Sequence, residues 1–218
     1  MKKRLYQSKA TSVSSYIREY SSIFLFVVVL FLMGVIFGAI VVNSMGYSQK
    51  EDLYYYLSQF FGQVSEGKIA DHNDLFMQSL LHNSKFIGLI WVLGISVVGL
   101  PVILILLFVK GMVVGFTVGF LVSQMGWKGF ALAAASILPQ NLINIPIFIV
   151  MAGLSVIFSL RMIKKQFVKK YAEPIMPFFK GYILALIAAV IFISLASGIE
   201  AYLSPSLMKS VVGSSSLK

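Results

Sequence analysis

The sequence predicts an all-α polytopic membrane protein, a bundle of about five transmembrane helices with a proline-broken fourth helix and an amphipathic helical outer loop. Three observations predict it. The 218 residues are 58% hydrophobic and only 12% charged, with a mean hydropathy of +0.88, whereas soluble domains are about half apolar and a quarter charged. Uncharged stretches of about 20 residues, enough to cross hydrocarbon as helices, recur along the chain. The lysines and arginines gather mainly in two clusters beside apolar runs, the arrangement that orients a chain in a bilayer.

These observations also exclude function classes. A bundle uses up the length, and no separate soluble catalytic domain of roughly 100 residues fits beside it. The net charge of +10 reflects membrane orientation, not a nucleic-acid partner. With no cysteine, disulfides, thiolate catalysis and Cys-ligated metals are ruled out.

In chain order, residues 1–22 form a basic cytoplasmic N-terminus, with Lys2, Lys3, Arg4, Lys9 and Arg18 against Glu19. No cleavage site follows, so the first span stays as an anchor. That span, 23–42, carries Gly34 and Gly38 four apart, a spacing that admits a close neighbour helix. Residues 43–85 read as the outer loop. In it Leu53, Leu57, Phe60, Phe61 and Val64 recur at steps of three and four, the pattern of an amphipathic helix, beside Tyr54, Tyr55 and Tyr56. Such a helix lies on lipid headgroups or presents its apolar face to another protein, and both readings stay open. Asn73 is expected to cap a second short helix through Leu75 and Leu81. His72 and His82 read as ordinary loop residues, because no ligand spacing surrounds them.

A second span is expected at 86–109, kinked by Pro101. Lys110-Gly111 then reads as a tight turn into a third span, 111–125, where Gly111, Gly115 and Gly119 repeat every fourth residue. Gly126-Trp127-Lys128-Gly129 is the next turn, with Trp127 at headgroup level. The broken fourth region occupies 128–160. Pro139 and Pro146 each remove a helix hydrogen bond, and Gln140, Asn141 and Asn144 are polar groups able to satisfy freed backbone. The same amides could instead touch a transported solute; the structural role is preferred. A basic cytoplasmic loop at 161–177, a fifth span at 178–199 and an outer tail at 200–218 complete an even-numbered return, leaving the C-terminus outside.

Intramembrane enzymes need carboxylates, histidines or metal ligands at depth. The expected spans hold no Asp, Glu or His, and Lys110, Lys128, Lys180 and Glu200 fall at their ends. The chain is therefore expected not to be an enzyme and to need no cofactor. A transporter, or a membrane subunit of one, is the alternative suggested by the broken helix.

Three stretches carry a resemblance: Lys110 through Phe120 with its glycine spacing, Leu138 through Pro146, and Gly198 through Pro205 after the last span. In these the chain resembles the stage II sporulation protein M family over nearly its whole length. The wider family often has a histidine-glycine pair and then a glutamate in the broken segment, where this chain has Gln140-Asn141 and Asn144. Glu200 matches the family pattern and is carried over as a structural or interface residue. The resemblance implies a non-enzymatic scaffold in the mother-cell septal or engulfing membrane. Its implied partners are a SpoIID-like lytic transglycosylase and a SpoIIP-like amidase/endopeptidase. Docking is expected on the outer loop, through Leu53–Val64 and Leu75–Leu81, and along the small-residue faces of Gly111, Gly115 and Gly119, with membrane lipid around them and room for a homo-oligomer.

Overall fold

The computed structural model describes residues 20–65, 71–167 and 175–215. Among them are six helices and no strand: α1 Ser21–Ser44, α2 Tyr47–Ser65, α3 His72–Ile95, α4 Gly99–Ser136, α5 Leu138–Phe167 and α6 Ile175–Ser215. Helices are what this composition demands, because a backbone in hydrocarbon must satisfy its N–H and C=O groups within its own segment. α1, α4, α5 and α6 are long and apolar enough to cross a membrane, so the chain is a multi-pass membrane protein. α3 is less apolar, yet runs antiparallel beside α6: His72 meets Ala201, Ser79 meets Ser197, and Trp91 meets Tyr182.

Glycines set how the bundle closes. Gly34 faces Phe108, Gly38 faces Met112, Gly111 faces Phe31 and Gly115 faces Val35, so α1 and α4 lie parallel and touch backbone to backbone. A Cβ on Gly115 would fall on the Val35 carbonyl, and one on Gly38 on that of Met112. With little hydrophobic drive between helices in lipid, close approach supplies the attraction. Gly111 and Gly115 are therefore spent inside the fold. The expectation that Gly111, Gly115 and Gly119 form an outward docking face for partners is corrected: α1 covers this seam.

The second and third spans also differ from expectation. The run 86–109 is not one helix, because the chain turns at Ser96, whose N–H meets the Leu93 carbonyl at 3.0 Å before Gly99 opens α4. Gly99 packs against the Leu93 carbonyl, where a side chain would not fit. Pro101 then lies in the first helical turn, where a missing N–H costs nothing, and starts a helix instead of kinking one. Lys110-Gly111 is no turn; it lies within α4, its glycine serving close approach to Phe31. The loop 43–85 shortens correspondingly. Leu75–Leu81 is the opening of α3, not a separate helix, and the N-cap position is Asp71 in place of Asn73.

The break also moves. Gly126 adopts φ 56°, ψ −131° inside α4, a left-handed value that favours glycine. The chain thereby doubles back: Gly129 lies against the Leu121 carbonyl, and Leu132, Ala133 and Ala135 cluster with Leu121. A second break at Ile137 ends this fold-back helix and α5 begins at Leu138. Pro139 sits in the first turn of α5, and Pro146 lies within that helix without dividing it. The division expected at both prolines is thus replaced by breaks at Gly126 and Ile137.

One end of the bundle is basic. Arg161 donates to the Tyr20 hydroxyl at 2.6 Å and lies 4.3 Å over the Phe178 ring, with Lys164 and Lys165 in the next turn. The basic residues of 1–19, and Lys169 and Lys170, lie outside the described residues. Gly126 and α2 lie toward the opposite, far end.

The last helix overruns its expected limit at 199 and continues through Pro205. Pro205 leaves the Ala201 carbonyl without its helical N–H partner, and His72 fills that place, its Nδ1 donating at 2.8 Å with the ring stacked on Tyr202. His72→Phe is expected to lower stability by about 1 kcal/mol, read from thermal unfolding in detergent. Pro205→Ala in that background should recover most of the loss, because a restored N–H replaces the imidazole.

Candidate functional site

Seven polar side chains converge in the far half of the bundle because three helices turn the same kind of face inward. On α3, Ser79 and Asn83 stand one turn apart and are buried. On α6, Ser197, Glu200 and Ser204 follow at helical spacing, with Ser197 fully buried. On α5, Gln140 and Asn144 share a face, and Asn144 is 3% exposed.

Glu200 is the hub. Ser79 Oγ donates a short hydrogen bond to Glu200 Oε2. With the Gln140 amide oriented nitrogen-inward, Gln140 donates to both carboxylate oxygens, at 2.6 Å to Oε1. The Ser79 and Ser197 hydroxyls are 3.1 Å apart, and Asn83 Nδ2 donates to the Ser79 carbonyl at 3.1 Å. Gln140 also lies in the first turn of α5, so the positive end of that helix dipole favours the carboxylate.

Lys110 supplies the opposite charge. Its ammonium lies 4.9 Å from the Phe148 ring centroid and 5.3 Å from that of Phe86, and the Glu200 carboxylate attracts it. The neighbouring Gly111 meets Phe31, near the middle of α1, which puts Lys110 deep in the bundle. The expectation of uncharged spans, with Lys110 and Glu200 at their ends, is corrected here: both lie inside helices. A charge at such depth costs about 3 kcal/mol, and the aromatic faces and mutual attraction offset part of it.

The amides divide their tasks. Asn141 Nδ2 donates to the Ile137 carbonyl at 2.9 Å, a backbone role. Gln140 crosses to Glu200 instead. Asn144 Oδ1 and Ser204 Oγ are buried without a partner among the described residues, and neither Pro139 nor Pro146 draws an amide onto the carbonyl it frees.

Of Leu53, Leu57, Phe60, Phe61 and Val64 on the outer loop, the structure describes the side chains of Leu53 and Leu57. Leu53 and Leu57 are half buried, and Leu57 packs onto the fold-back cluster of Leu121 and Leu132. Leu57 thus ties α2 to the protein's own far end, whereas Tyr47, Tyr54, Tyr55 and Tyr56 are exposed. The side chains of Phe60, Phe61 and Val64 lie outside the described residues.

Lys110, Ser79, Asn83, Ser197 and Ser204 are site residues that sequence reasoning missed. Ser79 and Asn83, and Glu200 and Ser204, keep the i, i+4 spacing of one helix face. Reading 43–85 as loop and 200–218 as tail concealed that signal. Among the described residues no group of three or more His, Asp or Glu could hold a metal ion.

A family model described as Stage II sporulation protein M matches residues 27–205. No curated protein and no solved structure matches the chain.

Proposed function

Because the chain belongs to the stage II sporulation protein M family, and so is a sporulation-related membrane protein, we propose that it is a non-enzymatic scaffold. In this reading it recruits and positions SpoIID-like and SpoIIP-like peptidoglycan hydrolases at the septal or engulfing membrane during endospore formation. The observation that carries it is the group of exposed tyrosines on α2, with Tyr47 83%, Tyr55 58% and Tyr56 68% exposed. Tyrosine offers a large amphipathic contact at low entropic cost, and interfaces are enriched in it. The basic end faces the cytoplasm by the positive-inside rule; α2 and the C-terminus are then outside, on the side where peptidoglycan lies.

The test is co-purification of a tagged copy from solubilised membranes of sporulating cells. Replacing Tyr54, Tyr55 and Tyr56 together by Ser should lower hydrolase recovery by about tenfold or more, with an unchanged elution profile of the scaffold. Full retention would sink the docking surface. A transport reading is favoured by one observation, the opposite charges of Lys110 and Glu200 within the bundle, since charges at membrane depth mark solute and ion paths. Recovery of an ATPase without any hydrolase in the same experiment would transfer the assignment to transport.

A further inference from the structure

The polar column is covered from the far end by a segment bounded by two hinge points. Gly126 holds the left-handed backbone at one side. Pro146 lies inside α5 at the other, where its missing N–H leaves the Leu142 carbonyl without its helical partner and weakens the helix locally. Between them, the fold-back helix packs by small residues, Gly129, Ala133 and Ala135, onto Leu121 and the partly buried Leu207 of α6.

Its polar attachment to α3 and α6 runs through Gln140 on the Glu200 carboxylate, which Ser79 also engages. On either side of that attachment a buried acceptor goes unmet among the described residues, Asn144 Oδ1 one turn along α5 and Ser204 Oγ one turn along α6, each residue 3% exposed. Unmet buried acceptors lower the stability of the closed packing relative to any state that meets them. Lys110 completes the column at depth, above the sealed layer of Phe148, Ile87 and Ile193.

We propose that residues 127–145 form a hinged strap, latched by Gln140, Glu200 and Ser79, whose opening exposes the polar column from Ser204 to Lys110 at the far end. The segment swings on Gly126 and Pro146 while α1, α3 and α6 keep their places. Nothing in this depends on whether the chain acts as scaffold or transporter.

The natural absence of cysteine makes the strap directly testable. Ser204→Cys is nearly isosteric and gives up no hydrogen bond. In proteoliposomes, its modification by a membrane-impermeant maleimide should be slow in the otherwise unchanged protein. Adding Gln140→Leu, which removes a hydrogen bond to a charged group, should speed it by about tenfold. A control thiol, Ser159→Cys, is fully buried in the basic half and should keep its rate. An unchanged rate at position 204, or an equal rise at both positions, would overturn the strap. Pro146→Ala supplies an arm that does not weaken the fold: by restoring the helical bond to Leu142 it should slow labelling at position 204 several-fold, and an unchanged or faster rate would overturn the hinge.

Discussion

Gly115→Leu is expected to prevent the protein from folding. The α1–α4 seam is backbone on backbone, and a Cβ at Gly115 already meets the carbonyl, carbonyl carbon and Cα of Val35. Backbone cannot rotate away as a side chain can, so the helices must separate along the whole seam. Overpacking of a core typically costs about 1–3 kcal/mol, and this substitution should exceed that range because it also forfeits the contacts at Gly34, Gly38 and Gly111. The measurement is the yield of monodisperse protein in detergent. Gly119→Ala is the control: its Cβ would approach Ala39 Cα at 3.2 Å and Ala39 Cβ at 3.4 Å, tight contacts that a small shift relieves. Well-folded Gly115→Leu protein that merely loses its partners would instead restore the glycine face as a docking surface.

The second large effect is expected at Glu200. Glu200→Ala strands the Ser79 and Gln140 donors and leaves Lys110 without its opposing charge. Glu200 and Lys110 are both partly buried, and each hydrogen bond to a charged group is worth about 1.5–3 kcal/mol, so the loss should be about 3 kcal/mol. Lys110→Met in the same chain should return part of that loss, because an apolar side chain between Phe86 and Phe148 has no charge to desolvate. Thermal unfolding of the single and double variants gives the coupling. Strict additivity of the two losses would show that Lys110 and Glu200 are energetically independent.

The membrane class, the helical content and the close-packing glycines follow from composition and spacing alone. An apolar chain with glycines every fourth residue has few alternatives in hydrocarbon, since unpaired backbone is prohibitive and close approach is what drives association. Helix ends are less legible in the sequence. Ser96–Val98 lies within a continuous apolar run, so hydropathy has no edge there, and only the packing of Gly99 on Leu93 and the placement of Pro101 in a first turn show where α4 starts. In sequence Lys110 reads as a boundary because charge usually is one; its cost is offset by two rings and a distant carboxylate that adjacency in sequence cannot reveal.

By itself, the sequence determined that this is an all-α membrane bundle of the stage II sporulation protein M family, with tightly packing glycine faces and a fourth region interrupted by polar amides. Only the tertiary structure decided that the glycine faces meet each other, that Leu57 ties α2 to the bundle while its tyrosines are exposed, and that Gln140 and Glu200 join across the bundle. The reason is physical. Periodicity specifies which residues share a helix face, but which face meets which is set by the simultaneous packing of all the helices, and that is not a local property of the chain.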